Sequence, residues 1–292
     1  MPENLQWIKQ KVLTAFLEDV GYGDLTTEAL IPESEIGEAD LIAEERGVLA
    51  GLQEAKLLFN EFNVNLDAKL KDGEQIIEPG LRIASIKGPL KAILTCERTA
   101  LNFLMRMSGV ATLTHRIVLK AKKVNPKIRV AATRKTIPLL GYFDKRAVQL
   151  GGGDTHRLRL DDCILIKDNH IAAVGGVEEA LRRVRKQVSF TKKIEIEVEN
   201  EDDAVKAAKN GADIIMLDNM KPASIISTIR KLEEHKLRDK ILLEASGGIN
   251  EENIEEYAKT GVDVVSLGYI THSAKALNFK IELETLKESF KL

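Results

Sequence analysis

The chain has 292 residues, 44% of them hydrophobic, with 43 basic against 45 acidic side chains and a net charge of −2. That length suits one large domain or two of ordinary size, and so balanced a charge leaves no global field to draw in nucleic acid or a membrane surface. No stretch is apolar enough to span a bilayer, "MPENLQWIKQKVL" lacks the form of a secretion signal, and Cys96 and Cys163 have no metal-ligand spacing, so a reduced cytoplasmic setting is expected.

In chain order, the first element is a helix at about 4–18. Short strand-like pieces follow in "EADLIAEERGVLAG" and "DGEQIIEPGLRIASIKGP". The second has the turn rhythm of a lipoyl-type sandwich but displays no carrier lysine, so it reads as scaffold. A long amphipathic helix, roughly 90–121, carries "CERTALNFLMRMSGVAT". Beyond it, strand and helix alternate. Apolar, β-branched runs stand at "KIRVAAT", "CILIKD", "KIEIEVEN", "ADIIMLDN", "ILLEASGG" and "DVVSLGYI".

Asn200 and Asn250 have the form of helix N-caps before acidic first turns, and Gly211 and Gly261 close those helices. Both helices enter the next strand through one phrase, Gly211-Ala212-Asp213 and Gly261-Val262-Asp263. Pro222 suits the first turn of a third helix, "KPASIISTIRKLEEHKL". Strands separated by helices, with no Gly-rich dinucleotide fingerprint, argue for a parallel sheet closed as an α/β barrel. The tail "ALNFKIELETLKESFKL" alternates like a strand and is expected to return to the N-terminal part.

Strand faces locate the chemistry. In "KIEIEVEN", Ile194, Ile196 and Val198 alternate with Glu195, Glu197 and Glu199, so one strand face carries all the carboxylates. A strand with its glutamates in solvent would have the same pattern. Barrel enzymes, however, hold catalytic groups at the C-terminal ends of their strands. By that rule Glu197 shares a rim with Lys167 of "CILIKDNH" and Asp218 of "ADIIMLDN". Carboxylates gathered there need a cation, either Lys167 or Mg²⁺.

Positive charge comes from two loops. "ATRKTIPLL" sets Thr133, Arg134 and Lys135 just past a strand, and "GGGDTHRLRLDD" sets His156 and Arg157 after a run of glycines. Arginine recognises carboxylates bidentately, as lysine cannot. Loop cations are usually only solvated; these gain weight from flanking strands that end in carboxylates. In "EASGGIN", Ser246, Gly247 and Gly248 precede the expected helix start at Asn250, and "SLGYITHS" presents Gly268 and His272. Such loops offer backbone N–H groups to a phosphate.

"GYGDLTT" (21–27), "ERTALNFL" (97–104), "TRKT" (133–136), "GGGDTHR" (151–157), "LIKDNHI" (165–171), "IEIEVEN" (194–200), "MLDN" (216–219) and "EASGGI" (244–249) occur together and in order. With them, essentially the whole chain resembles the quinolinate phosphoribosyltransferases. The resemblance implies an α/β fold: an open seven-stranded α/β barrel over 112–273, and an N-terminal α/β sandwich domain over 1–111 to which the tail 274–292 returns. Only six barrel strands are legible above, so one is irregular or missing. It also implies an obligate homodimer and transfer of a phosphoribosyl group from phosphoribosyl pyrophosphate to quinolinate, with loss of CO₂, in NAD biosynthesis.

Residue by residue, Arg134, Lys135, His156 and Arg157, with Thr133, correspond to the cradle for quinolinate and pyrophosphate. Lys167, Glu197 and Asp218 correspond to the charged group beside the ribose, with Glu197 and Asp218 as Mg²⁺ ligands. Ser246, Gly247, Gly248, Gly268 and His272 correspond to the 5′-phosphate end. Arg98 corresponds to an arginine that enters the site of the other subunit. One departure is visible: after "TRKT-x-P" the family usually has Gly and, two residues on, Arg, where this chain has Leu139 and Gly141. Rival readings are a molybdenum-operon paralogue of the family, against which intact "KDNH" argues, a Schiff-base aldolase using Lys167, and a non-catalytic phosphate-ligand binding protein.

Overall fold

The computed structural model describes residues 5–284. Two units divide the chain: one runs to Leu113 and resumes at Ala274, the other spans Thr114–Ser273. The first holds helices α1 (Leu5–Val20), α2 (Leu25–Leu30) and α3 (Leu52–Glu61) and strands β1 (Ile36–Ala43), β2 (Gly47–Val48), β3 (Asn65–Ala68), β4 (Gln75–Ile76) and β5 (Leu81–Pro89). In α1, Ile8, Val12 and Phe16 are buried, the i, i+4 stripe of an amphipathic helix. Helix α4 (Leu90–Val124) contains the boundary between the units.

In the second unit, strands β6 (Arg129–Ala132), β7 (Ile164–Ile166), β8 (Ile194–Val198), β9 (Ile214–Asp218), β10 (Leu242–Ser246) and β11 (Val264–Leu267) fall on the runs read from the sequence. Helices α5 (Gly141–Leu150), α6 (Asp168–Val174), α7 (Val177–Gln187), α8 (Glu201–Lys209), α9 (Pro222–Glu234), α10 (Ile254–Ala258) and α11 (Tyr269–His272) lie between or after them. The strands make one six-stranded parallel sheet, ordered β6-β11-β10-β9-β8-β7. Asn200 caps α8 by accepting the Asp203 N–H at 2.9 Å, and Pro222 occupies the first turn of α9.

The repeated Gly-x-Asp phrase has one structural use. Asp213 accepts the N–H of Ile194 at 2.8 Å and Asp263 that of Leu243 at 2.8 Å. Each aspartate thereby ties the entry of its own strand to the start of the neighbouring one.

Beside β6, Ala131 pairs in parallel with Asp154 through a single bridge. The Asp154 N–H donates to Val130 O at 2.7 Å, and the Ala132 N–H to Asp154 O at 2.9 Å. The sheet is therefore six strands and one bridge, where a seventh full strand was expected. The reason is local. A Cβ on Gly153 would stand 2.7 Å from Thr114 and 2.9 Å from Val148, so the chain enters through a gap that admits no side chain. It leaves through His156 at φ +51, which ends extended pairing.

The final strand, β12 (Phe279–Leu283), pairs antiparallel with β1 and completes the first unit's sheet, ordered β12-β1-β5-β3. The rest of the predicted tail, 285–292, lies outside the described residues. No helix among the described residues is long and apolar enough to cross a membrane.

Candidate active site

A cavity of about 480 Å³ opens where the strands of the second unit end. Thr133, Arg134 and Lys135 line it past β6, His156 and Arg157 past the Asp154 bridge, Lys167 past β7, Glu197 on β8, Asp218 on β9, and Ser246, Gly247 and Gly248 at the end of β10. A smaller recess of about 230 Å³ shares Thr133, Lys135 and the Ser246–Gly248 turn and adds Gly268 and His272. Of the residues given a site role from the sequence, Arg98 alone lines neither; it is exposed on α4, in the first unit.

Strand β8 is buried on both faces. Glu195 is 0% exposed and the Glu197 side chain 12%, which excludes a solvent-facing row of glutamates. Only Glu199, beyond the strand end, is exposed. Glu197 Oε1 accepts a hydrogen bond from Lys167 Nζ at 2.5 Å. Asp218 Oδ2 accepts one from Asn219 Nδ2 at 2.8 Å. Asn219 is held at φ +54 and donates its own N–H to Ser246 O at 2.8 Å. Gly247 follows from that contact: a Cβ there would lie 2.2 Å from Asn219 Oδ1.

The basic wall is built by a buried lysine that sequence patterning did not flag. Lys145 on α5 is 2% exposed and donates to the carbonyls of Thr155 and Arg157, the latter at 3.3 Å. Burial lowers its pKa to about 8. Arg157 is 8% exposed and donates from Nη1 to Cys163 O at 3.3 Å, whereas Arg134 and Lys135 are exposed.

Beneath them, His156 Nε2 lies 3.4 Å from Glu195 Oε2 and 3.3 Å from Glu244 Oε2. Asp154 precedes the first strand of the sheet's spatial order, yet His156 meets β8 and β10, so the sheet curls round on itself as a barrel does. Burial favours the neutral ring, and the two carboxylates pull the other way, towards a second ring proton. The Arg157 N–H, 2.7 Å from Nδ1, needs a lone pair on that nitrogen, so this geometry holds the ring neutral with its proton on Nε2. Burial also raises the Glu195 carboxyl.

The phosphate-type loop differs from expectation at its helix. Asn250 does not begin a long helix; its Oδ1 accepts the N–H groups of Glu252 and Asn253 in a turn, and α10 covers only Ile254–Ala258. A five-residue helix adds little dipole. Any anion here is met chiefly by loop N–H groups and by Lys135, whose Cδ would be 2.8 Å from a Cβ on Gly268.

The departure at Leu139 also has a geometry. The Leu140 N–H donates to Ile137 O at 3.1 Å, with Pro138 between and Leu139 at φ +67. That is the form of a type II turn, whose third residue is ordinarily glycine.

Family models for quinolinate phosphoribosyl transferase match residues 24–108 (N-terminal domain) and 110–282 (C-terminal domain). The chain belongs to the quinolinate phosphoribosyltransferase family. The probable nicotinate-nucleotide pyrophosphorylase (carboxylating) of Methanothermobacter thermautotrophicus is 52% identical over 269 residues, 92% of this chain and 96% of that protein. The human nicotinate-nucleotide pyrophosphorylase (carboxylating) is 36% identical over 259 residues, 89% of this chain and 86% of that one. The crystal structure of NadC from Streptococcus pyogenes superposes with a TM-score of 0.90 at 37% identity, covering 97% of this chain and 99% of that one.

Against this family background, Lys145, Glu244, Asn219 and Ser266, the last also lining the cavity, are residues that pattern reading passed over, while Glu195 was read onto the right strand face but given no role. Glu244 had a signal: it is the lone acid inside the apolar run "ILLEAS", on the same strand face as Ser246. For Lys145 there was none, because Phe143 to Val148 are all buried and no helical stripe marks one of them.

Proposed function

We infer that the chain transfers the phosphoribosyl group of phosphoribosyl pyrophosphate to quinolinate, releasing pyrophosphate and CO₂ and forming nicotinate mononucleotide for NAD biosynthesis. One observation carries this: a single cavity sets Arg134, Lys135, Arg157 and Lys167 against the carboxylates of Glu197 and Asp218. The basic groups suit an aromatic diacid and a pyrophosphate. The acids suit a carbon that becomes cationic as pyrophosphate departs.

Quinolinate is held by its carboxylates so that the pyridine nitrogen meets the anomeric carbon on the face opposite the leaving group. Glu197, oriented by Lys167, and Asp218, oriented by Asn219, face the positive charge developing there. Once alkylated, the ring nitrogen takes up the electron pair left when the adjacent carboxylate leaves as CO₂, and that carbon then gains a proton. The 5′-phosphate rests against Ser246, Gly247, Gly248, Gly268 and His272, with Thr133 at the junction of the two recesses.

Glu197 and Asp218 are hard oxygen donors on one wall, and the pair of carboxylates fits Mg²⁺, which takes few protein ligands and completes its shell with phosphate and water. When bound, Mg²⁺ supplies positive charge to the pyrophosphate. The enzyme works in the cytoplasm, in keeping with the free thiols of Cys96 and Cys163, and as a homodimer in which the partner subunit's Arg98 completes the cradle. The exposed position of Arg98, outside the cavity lining, supports that role. The aldolase alternative finds Lys167 already ion-paired to Glu197, unlike a desolvated nucleophilic amine.

Incubation with quinolinate, phosphoribosyl pyrophosphate and Mg²⁺ should give nicotinate mononucleotide by chromatography and mass. Absence of that product from folded, dimeric protein would overturn the assignment.

A further inference from the structure

Both ring nitrogens of His156 are committed within the protein. Nδ1 accepts the Arg157 N–H at 2.7 Å, so it carries a lone pair and the ring proton sits on Nε2. Nε2 faces Glu195 at 3.4 Å and Glu244 at 3.3 Å. These glutamates are 0% and 2% exposed. Both oxygens of Glu195 and Oε1 of Glu244 have no hydrogen-bond partner, so the Nε2 proton beside them answers a buried need for a donor. Acceptors so buried hold the ring proton towards themselves.

The same three residues have the spacing of a metal site, with their ligand atoms within 4.8 Å of one another. The hydrogen bond at Nδ1 argues against one. A metal-bound histidine donates from its second nitrogen, whereas Nδ1 here accepts, leaving Nε2 without the lone pair that a metal needs.

The turn that carries the ring is held from other directions as well. Asp154 Oδ1 accepts the His156 N–H at 2.8 Å. Lys145 donates to the carbonyls on either side, those of Thr155 and Arg157. His156 itself sits at φ +51, a conformation that a non-glycine residue keeps only when its surroundings enforce it.

We propose that His156 is a positioning residue: Glu195 and Glu244 clamp its ring from below, and the ring fixes Arg157 against the cavity, so that Arg157, not His156, meets the substrate carboxylate. This rests on quinolinate being the substrate. The clamp has a distinctive sign. Two buried carboxylates under a dianion are an electrostatic liability, so a bystander glutamate would tighten quinolinate binding when removed. A clamp would weaken it.

Glu195→Ala, Glu244→Ala and Glu244→Gln should be compared with the wild type by steady-state kinetics, with circular dichroism to verify folding. Histidine-¹⁵N nuclear magnetic resonance on the wild type, with and without quinolinate, reads the ring directly. The alanine variants should raise KM for quinolinate by about 10- to 100-fold, with a smaller change in kcat. Glu244→Gln keeps an acceptor oxygen and should recover most of the loss. His156 should show an unprotonated Nδ1 and a protonated Nε2, unchanged by quinolinate. The proposal is overturned if KM falls or holds, if Nδ1 becomes protonated in the quinolinate complex, or if purified protein carries stoichiometric zinc or manganese that Glu195→Ala loses. If the alanine variants do not fold, the nitrogen resonances decide alone. If the wild type does not turn over quinolinate, the substrate reading fails, and the resonances still decide the clamp.

Discussion

Leu139→Gly should stabilise the protein. Leu139 occupies the glycine position of a type II turn at φ +67, and the residue is 83% exposed, so little packing is lost with its side chain. An L-residue in the left-handed region costs roughly 1–2 kcal/mol. Glycine returns about 0.5–1 kcal/mol of that through the extra freedom it gives the unfolded chain. The net gain is about 0.5–1 kcal/mol, or roughly 1–4 °C in the melting temperature of a unit this size. Leu139→Ala is the control: it removes the side chain but keeps the strained Cβ, so it should show no gain. Calorimetry and urea titration of the three proteins would measure this. A glycine variant no more stable than wild type, or an alanine variant that gains as much, would refute the turn-strain explanation.

Glu197→Ala should lower kcat by about 100-fold or more while leaving quinolinate binding nearly intact, since its charge matters most when the ribose carbon is cationic; Glu199→Gln, altering an exposed carboxylate, should be silent. Chelation should abolish turnover and Mg²⁺ restore it, with binding of phosphoribosyl pyrophosphate, followed by calorimetry, weakened in Asp218→Asn. Arg98→Ala and Lys167→Ala should each be inactive, and mixing them with proven subunit exchange should restore about a quarter of wild-type activity, because half the dimers then hold one intact site; no recovery would confine Arg98 to its own chain. Lys145 is lowered from 10.5 to about 8 by burial. Between those pH values the unfolded chain binds the extra proton, so stability rises with pH by up to about 3 kcal/mol, and the difference from Lys145→Met should vary across that window only.

What the sequence made legible was whatever has a short period. Each of the parallel strands stands where an apolar, β-branched run was read, and Asn200 and Pro222 mark helix starts because caps are local chemistry. Glu197 could be placed because a period of two, combined with the tendency of barrels to work at strand ends, leaves few choices. The seventh position of the sheet escaped because Asp154 pairs through one bridge between glycines and a left-handed histidine, so no apolar run announces it. Asn250 misled because a turn and a helix cap use the same side-chain acceptor. The meeting of His156 with Glu195 and Glu244 depends on the curl of the whole sheet, and Lys145 on how α5 packs. Neither is encoded in neighbouring residues.

The central claim is that one cavity both joins quinolinate to the ribose and removes its carboxylate. Quinolinate labelled with ¹³C in the carboxyl group next to the nitrogen, supplied with phosphoribosyl pyrophosphate and Mg²⁺ beside a parallel reaction on nicotinate, tests it most directly. The account predicts one labelled CO₂ and one pyrophosphate per nicotinate mononucleotide, and no comparable turnover of nicotinate, because an arginine left unpaired costs roughly 2–5 kcal/mol. Turnover of nicotinate within about tenfold of quinolinate (about 1.4 kcal/mol of discrimination or less), or a nucleotide product that keeps the label, would contradict it.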